Sequence, residues 1–583
     1  MAMSRRRRIF WIAVGLVLVA SFTAVVLGGL AYFVQSQSLS SSTRRSDASS
    51  HVLSMSFQGS FAENPPPTFQ LAFAGDSAPT FPAIIRAMDR AADAPGLTTV
   101  FVRIGATDLG WARARELRQA LRRIRTKGKK VTAFLEDSGN MEYYLASAAD
   151  EIVALPEAIL QIHGLSAEVM FLKGAFDKFG VEAQFVAMGK YKNAPNQFTE
   201  KKFTRAHREQ MESLVGGLYH EYISSVATSR SKPEEEIEAL ISAGPYDSSS
   251  ALDAGLVDRL DYPDEALDAA GSTHRYLADF RDQAGAFDTR PKVALIFVDG
   301  EILSGESQDA GFGSGAVAGS DTIAKALRSA ADDDAVKAVV LRVNSPGGSG
   351  SASDMIAREV ENTVARKPVI VSMGDYGASG GYYVSAPASA IVADPTTITG
   401  SIGVFFGKFV LKGLFEKLGV THDYVDFGGG GSFASASRRW TAEDQAKAEG
   451  LASRFYDRFL SLVAENRHMD VDSVHEIAQG RVWTGAEAKG VGLVDELGGF
   501  DRAVSLAKDK AKIVAGQDVS VVIFPTPKSA FDRFFEEADG WDGIGVSARA
   551  RLTPEMLADR FRSRLLKQSR TIWARLPYGL EVR

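Results

Sequence analysis

An internal repeat constrains the fold of this chain more strongly than any other feature of its 583 residues. The stretch 155–186, "LPEAILQIHGLSAEVMFLKGAFDKFGVEAQFV", aligns without gaps with the stretch 394–425, "DPTTITGSIGVFFGKFVLKGLFEKLGVTHDYV". The same offset of 239 residues pairs the Tyr-Tyr sequence at 143–144 with that at 382–383. Because self-similarity at one fixed offset indicates repeated structural units, we expect two copies of one domain, at residues 52–289 and 290–514.

Each copy alternates short β-branched runs with amphipathic stretches. In the second copy, "VKAVVLRVN" and "KPVIVSMG" have the composition of buried strands, and "SASDMIAREVENTVAR" between them has helical periodicity. Alternation of this kind predicts an α/β fold in which largely parallel strands are covered on both faces.

The first 34 residues predict a membrane anchor. Residues 9–34 contain no charged side chain, and four arginines at 5–8 precede them. A bilayer requires about 20 apolar residues, whereas the apolar region of a cleavable signal peptide has about 7–15. We therefore expect a single transmembrane helix with a cytoplasmic N-terminus. A long, cleaved signal peptide is the alternative. The Ser-rich residues 35–51 read as a tether, and the pattern of 515–583 indicates no function for this C-terminal tail.

Charge and cysteine content exclude several function classes. The net charge of −6 and the sequence pI near 5.9 give no reason to expect a nucleic-acid partner. The absence of cysteine excludes disulfides, thiolate catalysis and Cys-ligated metals.

A candidate nucleophile lies in the second copy. Residues 377–381, "GASGG", match the G-x-S-x-G pattern of hydrolases and place Ser379 at the start of a predicted helix. An N-cap is the bland alternative for this serine, although two following glycines are poor helix formers. The repeat offset places Asn140 at the equivalent position of the first copy, so that copy lacks this hydroxyl.

A glycine turn precedes the serine. Gly347 and Gly348, in "NSPGGSG", leave a predicted strand and would allow backbone N–H groups to face an oxyanion, or would simply form a tight turn. The first copy has Asp108 and Leu109 at these positions.

The base that would activate Ser379 can be sought in two ways. Asp426 or Asp457 followed by His468 has the order of an α/β-hydrolase triad. A neutral lysine is the other possibility, although each unit of pKa depression from about 10.4 costs about 1.4 kcal/mol. Lys192 lies in the first copy, and its equivalent in the second is Gly431. The first copy thus has the lysine without the serine, and the second has the serine without the lysine. This pattern favours a catalytic dyad formed by Lys192 and Ser379 together over the alternative that Lys192 is a solvated surface residue.

Five stretches resemble the signal peptide peptidase A family, also called protease IV, in its long, duplicated form. They are "LRVNSPGGS", "GASGGYYVSAPA", "ADPTTITGSIGV", "GRVWTGAEAKGVGLVDELGGFDRAV" and, in the first copy, "GKYKNAPNQF". The resemblance implies two tandem ClpP/crotonase-like domains and a Ser/Lys peptidase split between them. Ser379 would be the nucleophile, Lys192 the general base and Ser401 the group that orients the lysine. Gly347, Gly348 and Gly380 would supply the oxyanion hole.

The same resemblance implies a function and a location. The protein would be a serine endopeptidase of the bacterial inner membrane, its catalytic body on the extracytoplasmic side. It would degrade cleaved signal peptides and other apolar peptides as a homotetramer. The residues of the proposed site call for no metal or organic cofactor. A crotonase-type acyl-CoA enzyme and a catalytically silent membrane scaffold are the alternatives. We expect Lys192 to meet Ser379 within one chain, because pairing of the two halves would bring them together.

Overall fold

The two halves of the chain build sheets with the same strand order in the computed structural model of the protein. The structure describes residues 51–64, 79–282, 288–308, 315–428, 430–525, 573–575 and 581–582. The predicted transmembrane segment at 9–34 and the tether at 35–51 lie outside these residues, except for His51. Across the described ranges, no helix combines the length and apolar character needed to cross a bilayer.

The first half forms a six-stranded sheet in which every neighbouring pair is parallel. In spatial order its strands are Arg259–Leu260, Glu151–Ala154, Lys130–Leu135, Leu97–Thr107, His51–Gly59 and His274–Tyr276.

The second half repeats this order with parallel strands. They are Glu496–Leu497, Ala390–Ala393, Val369–Ala378, Val336–Ser345, Lys292–Asp299 and Ser520–Phe524. Ile398–Gly400 and Val482–Thr484 extend the sheet beside Val369–Ala378. The α/β fold expected from the alternating pattern is confirmed, and residues 338–343 are buried throughout, as a sheet covered on both faces requires.

Helices connect and cover the strands of both halves. Those of the first half are Phe81–Asp93, Trp111–Thr126, Asn140–Ala146, Lys173–Phe179, Asn196–Thr199, Arg205–Arg230, Glu234–Ala243, Ser248–Asp253 and Pro263–Ala270, with a 3-10 turn at Leu277–Phe280. Those of the second half are Ser320–Asp332, Gly350–Val364, Gly380–Ser385, Lys412–Lys417, Ala442–Arg467, Val471–Ile477, Gly485–Gly490 and Phe500–Lys510. The helix Gly350–Val364 shows why such segments are helical. Ser349 Oγ accepts a hydrogen bond from Ala352 N at its N-terminus, and Ile356 and Val360 lie on its buried apolar face.

A third sheet joins the halves. Its strands are, in spatial order, Val317–Gly319, Glu301–Leu303, Gly347–Ser349, Trp573–Arg575, Val404–Val410 and Glu182–Met188. Glu182–Met188 of the first half pairs antiparallel with Val404–Val410 of the second, with Met188 opposite Val404. The chain that follows Met188 is therefore carried into the second half.

Two small sheets complete the described structure. Ser138–Gly139, Ile159–Gln161 and Tyr246–Asp247 form one, and Ala167–Glu168 pairs with Glu581–Val582 in the other.

Candidate active site

Ser379 occupies a sharp turn between the strand Val369–Ala378 and the helix Gly380–Ser385. Its φ of 56° and ψ of −113° are strained for a residue with a side chain, and such strain is typical of a nucleophile elbow. The side chain makes no capping hydrogen bond to the helix, which argues against the N-cap interpretation. Close packing explains the glycines that follow: a Cβ at Gly380 would lie 2.6 Å from Ser353 Oγ, and one at Gly381 would lie 2.7 Å from Ser345 O.

The register of two strands places Ser401 beside Ser379. The strand Ile398–Gly400 runs parallel to the end of Val369–Ala378, with Gly400 opposite Ala378. The residues that follow these partners are the two serines, and Ser379 N donates to Gly400 O at 2.8 Å. Ser401 also has a positive φ, 52°, and its backbone N–H donates to Arg481 O at 2.6 Å.

Lys192 reaches the same point from the first half. It follows the strand Glu182–Met188, whose antiparallel partner begins at Val404, shortly after Ser401. Lys192 Nζ lies 2.8 Å from Ser379 Oγ, 3.0 Å from Ser401 Oγ and 3.1 Å from Ser401 O. The structure thus brings together, within one chain, the three side chains that the sequence and the family resemblance select.

Burial sets the electrostatics of this contact. Lys192 is 4% exposed, Ser379 is fully buried and Ser401 is 1% exposed. Desolvation of the amine holds the pKa of Lys192 well below its usual value of 10.5. A lysine in this environment can be neutral near physiological pH and can accept a proton from a hydroxyl.

The three glycines of the predicted oxyanion hole also meet. A Cβ added at Gly380 would lie 3.1 Å from both Gly347 Cα and Gly348 N, so the turn packs directly on the residue that follows Ser379. Gly347 has a φ of 100°, which favours glycine, and its N–H donates to Ser345 Oγ at 3.1 Å. This hydrogen bond engages the Gly347 amide within the turn, and the oxyanion role of Gly347, Gly348 and Gly380 stays a prediction.

The alternative triad of Ser379, His468 and an aspartate is not formed by the described residues. His468 ends the helix Ala442–Arg467, Asp426 accepts a hydrogen bond from Ser432 Oγ at 2.8 Å, and Asp457 accepts one from Ser453 Oγ at 3.5 Å. Within the described ranges, neither the histidine nor the two aspartates hydrogen-bond to Ser379.

The equivalent positions of the two copies have diverged as the sequence indicates. Asn140 starts the helix Asn140–Ala146 and its Oδ1 accepts from His163 N at 2.9 Å, a structural contact. Gly431, the counterpart of Lys192, is exposed.

Two functional glycines escaped sequence reasoning. Gly480 has a φ of 75°, and a Cβ there would lie 2.6 Å from Lys192 N. Gly189 has a φ of 106°, and its Cβ would lie 2.3 Å from the carbonyl carbon of Gln479. These close approaches place residues 189–192, which lead to Lys192, directly against the segment 479–481. Tyr191 N donates to Gln479 O there, at 2.7 Å. In the sequence, Gly189 begins "GKYKNAPNQF" and Gly480 begins "GRVW", but neither stretch by itself indicates that the two backbones meet.

A three-residue strand from the C-terminal region of the chain lies beside the glycine turn. The backbone of Trp573–Arg575 runs antiparallel to Gly347–Ser349, with Ala574 opposite Gly348, and Trp573 also pairs with Phe405. An extended polypeptide can therefore bind between these two strands through its backbone.

Comparison with known proteins identifies the family. The sequence profile described as peptidase family S49 matches residues 123–275 and 361–514, one stretch in each half and together more than half of the chain. This protein belongs to peptidase family S49. One S49 segment lies in each half of the chain, and the site described above combines Lys192 of the first segment with Ser379 and Ser401 of the second.

Relatives of this S49 chain are named as proteases. It is 32% identical to the chloroplastic serine protease SPPA of Arabidopsis thaliana over 511 residues, covering 85% of this chain and 73% of that protein. It is 36% identical to protease 4 of Haemophilus influenzae over 434 residues, covering 70% and 69% of the two chains. The S49 chain is thus a serine-type peptidase, which disfavours the acyl-CoA enzyme and the silent scaffold.

A solved structure also matches part of the S49 chain. ClpP1 from Listeria monocytogenes is 15% identical, with a TM-score of 0.22, over 35% of this chain and 91% of that one.

Proposed function

We propose that this S49 peptidase hydrolyses peptide bonds with a composite dyad, in which Ser379 is the nucleophile and Lys192 the general base. The observation that carries the proposal is the 2.8 Å contact between the buried Lys192 Nζ and the buried Ser379 Oγ. Ser401 is the orienting residue, because its hydroxyl and carbonyl also accept hydrogen bonds from the amine.

The mechanism follows from this arrangement. Neutral Lys192 accepts the Ser379 proton as Oγ attacks the peptide carbonyl, and the N–H groups of Gly348 and Gly380 receive the developing negative charge. The lysinium then protonates the leaving amine. Once the amine has left, neutral Lys192 activates a water that hydrolyses the acyl-enzyme, and Ser379 regains its proton.

Apolar peptides are the proposed substrates, with cleaved signal peptides among them. An apolar cluster of Ala194, Phe405, Phe185 and Leu303 supports this choice. Leu303 belongs to the strand beside Gly347–Ser349, and Phe405 to the strand on the other side of the tail. A peptide paired between these strands would present its side chains to this cluster.

We further propose the cellular setting that the sequence implies. Residues 9–34 anchor the protein in the bacterial inner membrane, the catalytic body lies on the extracytoplasmic side, and the chain assembles as a homotetramer. The two halves at 52–289 and 290–514 adopt ClpP/crotonase-like folds.

The test compares two variants on a short apolar peptide. We expect Lys192→Ala and Ser379→Ala each to lower kcat/KM by at least about 10³-fold, because each removes one half of a unit. A fluorophosphonate should label the native protein at Ser379. Near-native turnover by Lys192→Ala, with turnover lost in Ser379→Ala, would show that another group is the base.

A further inference from the structure

The first copy's equivalent of the glycine turn has acquired a contact with the second half. This loop, 105–111, "GATDLGW", stands at the repeat offset from 344–350, and its sequence is unsuited to an oxyanion hole. Instead it binds the buried carboxylate of Asp375. Gly110 N donates to Oδ2 at 3.2 Å, Arg113 N donates to Oδ1 at 3.0 Å, and Arg113 Nε donates to Oδ2 at 2.5 Å.

The loop is shaped for this carboxylate. A Cβ at Gly110 would lie 2.3 Å from Asp375 Cγ, so only glycine leaves room for the side chain. The guanidinium of Arg113 is itself held, since it donates to Phe61 O at 2.8 Å and to Asp108 O at 3.0 Å. Gly110 is the N-cap and Arg113 the third residue of the 16-residue helix Trp111–Thr126, whose N-terminus favours an anion.

Asp375 belongs to the strand that delivers the candidate nucleophile. It lies in Val369–Ala378, four residues before Ser379. The strained backbone of Ser379 persists only if its surroundings hold it, and small displacements of a nucleophile are costly. At Asp375 the first half binds this strand through three hydrogen bonds.

We propose that Asp375 is a positioning residue for Ser379, and that the loop 105–111 together with Arg113 is the clamp that holds it. The first copy uses its turn and helix N-terminus to bind a carboxylate of the other half. In the second copy, the equivalent turn is proposed to supply the Gly348 N–H to a substrate oxyanion. This inference rests on the proposed role of Ser379 as nucleophile.

The experiment uses the full-length protein with the variant Asp375→Asn, which keeps the shape and removes the charge. Asp501→Asn is the matched control, because Asp501 also pairs with a first-half arginine, Arg123, at 3.0 Å, but lies in the helix Phe500–Lys510. Fluorophosphonate labelling of Ser379 and the turnover of a short apolar peptide are measured well below the Tm of each variant.

We expect Asp375→Asn to lower both kcat and the labelling rate about tenfold or more, with KM within about twofold of native. The pH of half-maximal activity should not move, since Lys192 keeps its surroundings. Asp501→Asn should leave all of these values native. A native kcat and labelling rate in Asp375→Asn, even with a lowered Tm, would overturn the proposal, because the contact would then serve stability alone.

If Asp375→Asn does not fold, Arg113→Lys decides, since it leaves both backbone amides on the carboxylate. A kcat lowered several-fold at unchanged KM supports the clamp, and a native kcat overturns it. Failure of the proposed function is recognised separately, because Ser379→Ala would then retain turnover and the fluorophosphonate would label another residue.

Discussion

Ser379 and Ser401 are neighbours because they follow the paired ends of two adjacent parallel strands, where Ala378 lies opposite Gly400. Lys192 Nζ, contributed by the other half, lies within 3.0 Å of both hydroxyls. The first half therefore contributes the amine, and the two serines of the second half orient it. Each part of this contact can be tested separately.

Removal of the Ser401 hydroxyl should impair catalysis more than binding. In Ser401→Ala the amine keeps the carbonyl of residue 401 but loses a partner that directs its lone pair toward Ser379. We expect kcat to fall about 10–100-fold with little change in KM, as measured by steady-state peptide hydrolysis. Ser320→Ala alters a buried serine at the start of the helix Ser320–Asp332; it is the control and should remain native. An unchanged kcat in Ser401→Ala would contradict the orienting role.

Burial of Lys192 should cost stability in a pH-dependent manner. The folded pKa of this amine is depressed below 10.5, so the unfolded chain binds more protons between the two pKa values, and the native protein becomes more stable as pH rises through that window. Lys192→Met should raise the free energy of unfolding at pH 7, because methionine fills a similar volume and carries no amine that must be desolvated or deprotonated on folding. Urea unfolding should show this gain shrinking as pH approaches 10.5. A gain that is independent of pH would show that Lys192 is not the titrating group.

Deletion of the tail strand should make the site more accessible. Trp573–Arg575 pairs with the glycine turn, where an extended substrate would pair, and Ser379 is fully buried in this arrangement. A variant lacking 573–583 should have a kcat/KM raised about threefold or more on a short peptide. Deletion of 581–583 alone is the control, because Glu581–Val582 pairs with Ala167–Glu168 instead. A lower kcat/KM in the longer deletion would show that the strand supports the site.

Mixing inactive variants should not restore activity. Lys192 and Ser379 meet within one chain, so a Ser379→Ala chain and a Lys192→Ala chain each lack a complete dyad. Coexpression of the two should give no more peptidase turnover than either variant alone. Recovered turnover would place the dyad across a subunit boundary.

Comparison of the two repeats was sufficient to predict the two residues of the proposed dyad. Ser379 and Lys192 stand out because Asn140 and Gly431 replace them in the other copy, and the alternating pattern indicated parallel α/β sheets. Contacts that depend on long-range register could not be found in this way. Gly480 is needed only because Lys192 passes against it, and Asp375 matters only because Gly110 and Arg113 of the other half enclose it.

The pH dependence of Ser379 acylation by a fluorophosphonate tests the buried, neutral lysine most directly. The acylation rate should rise through an acid limb well below pH 10.5 and then reach a plateau, because Lys192 must lose its proton to act as a base. In Lys192→Ala this limb should disappear together with most of the rate. A rate that climbs only near pH 10.5, or an acid limb that persists unchanged in Lys192→Ala, would contradict the account.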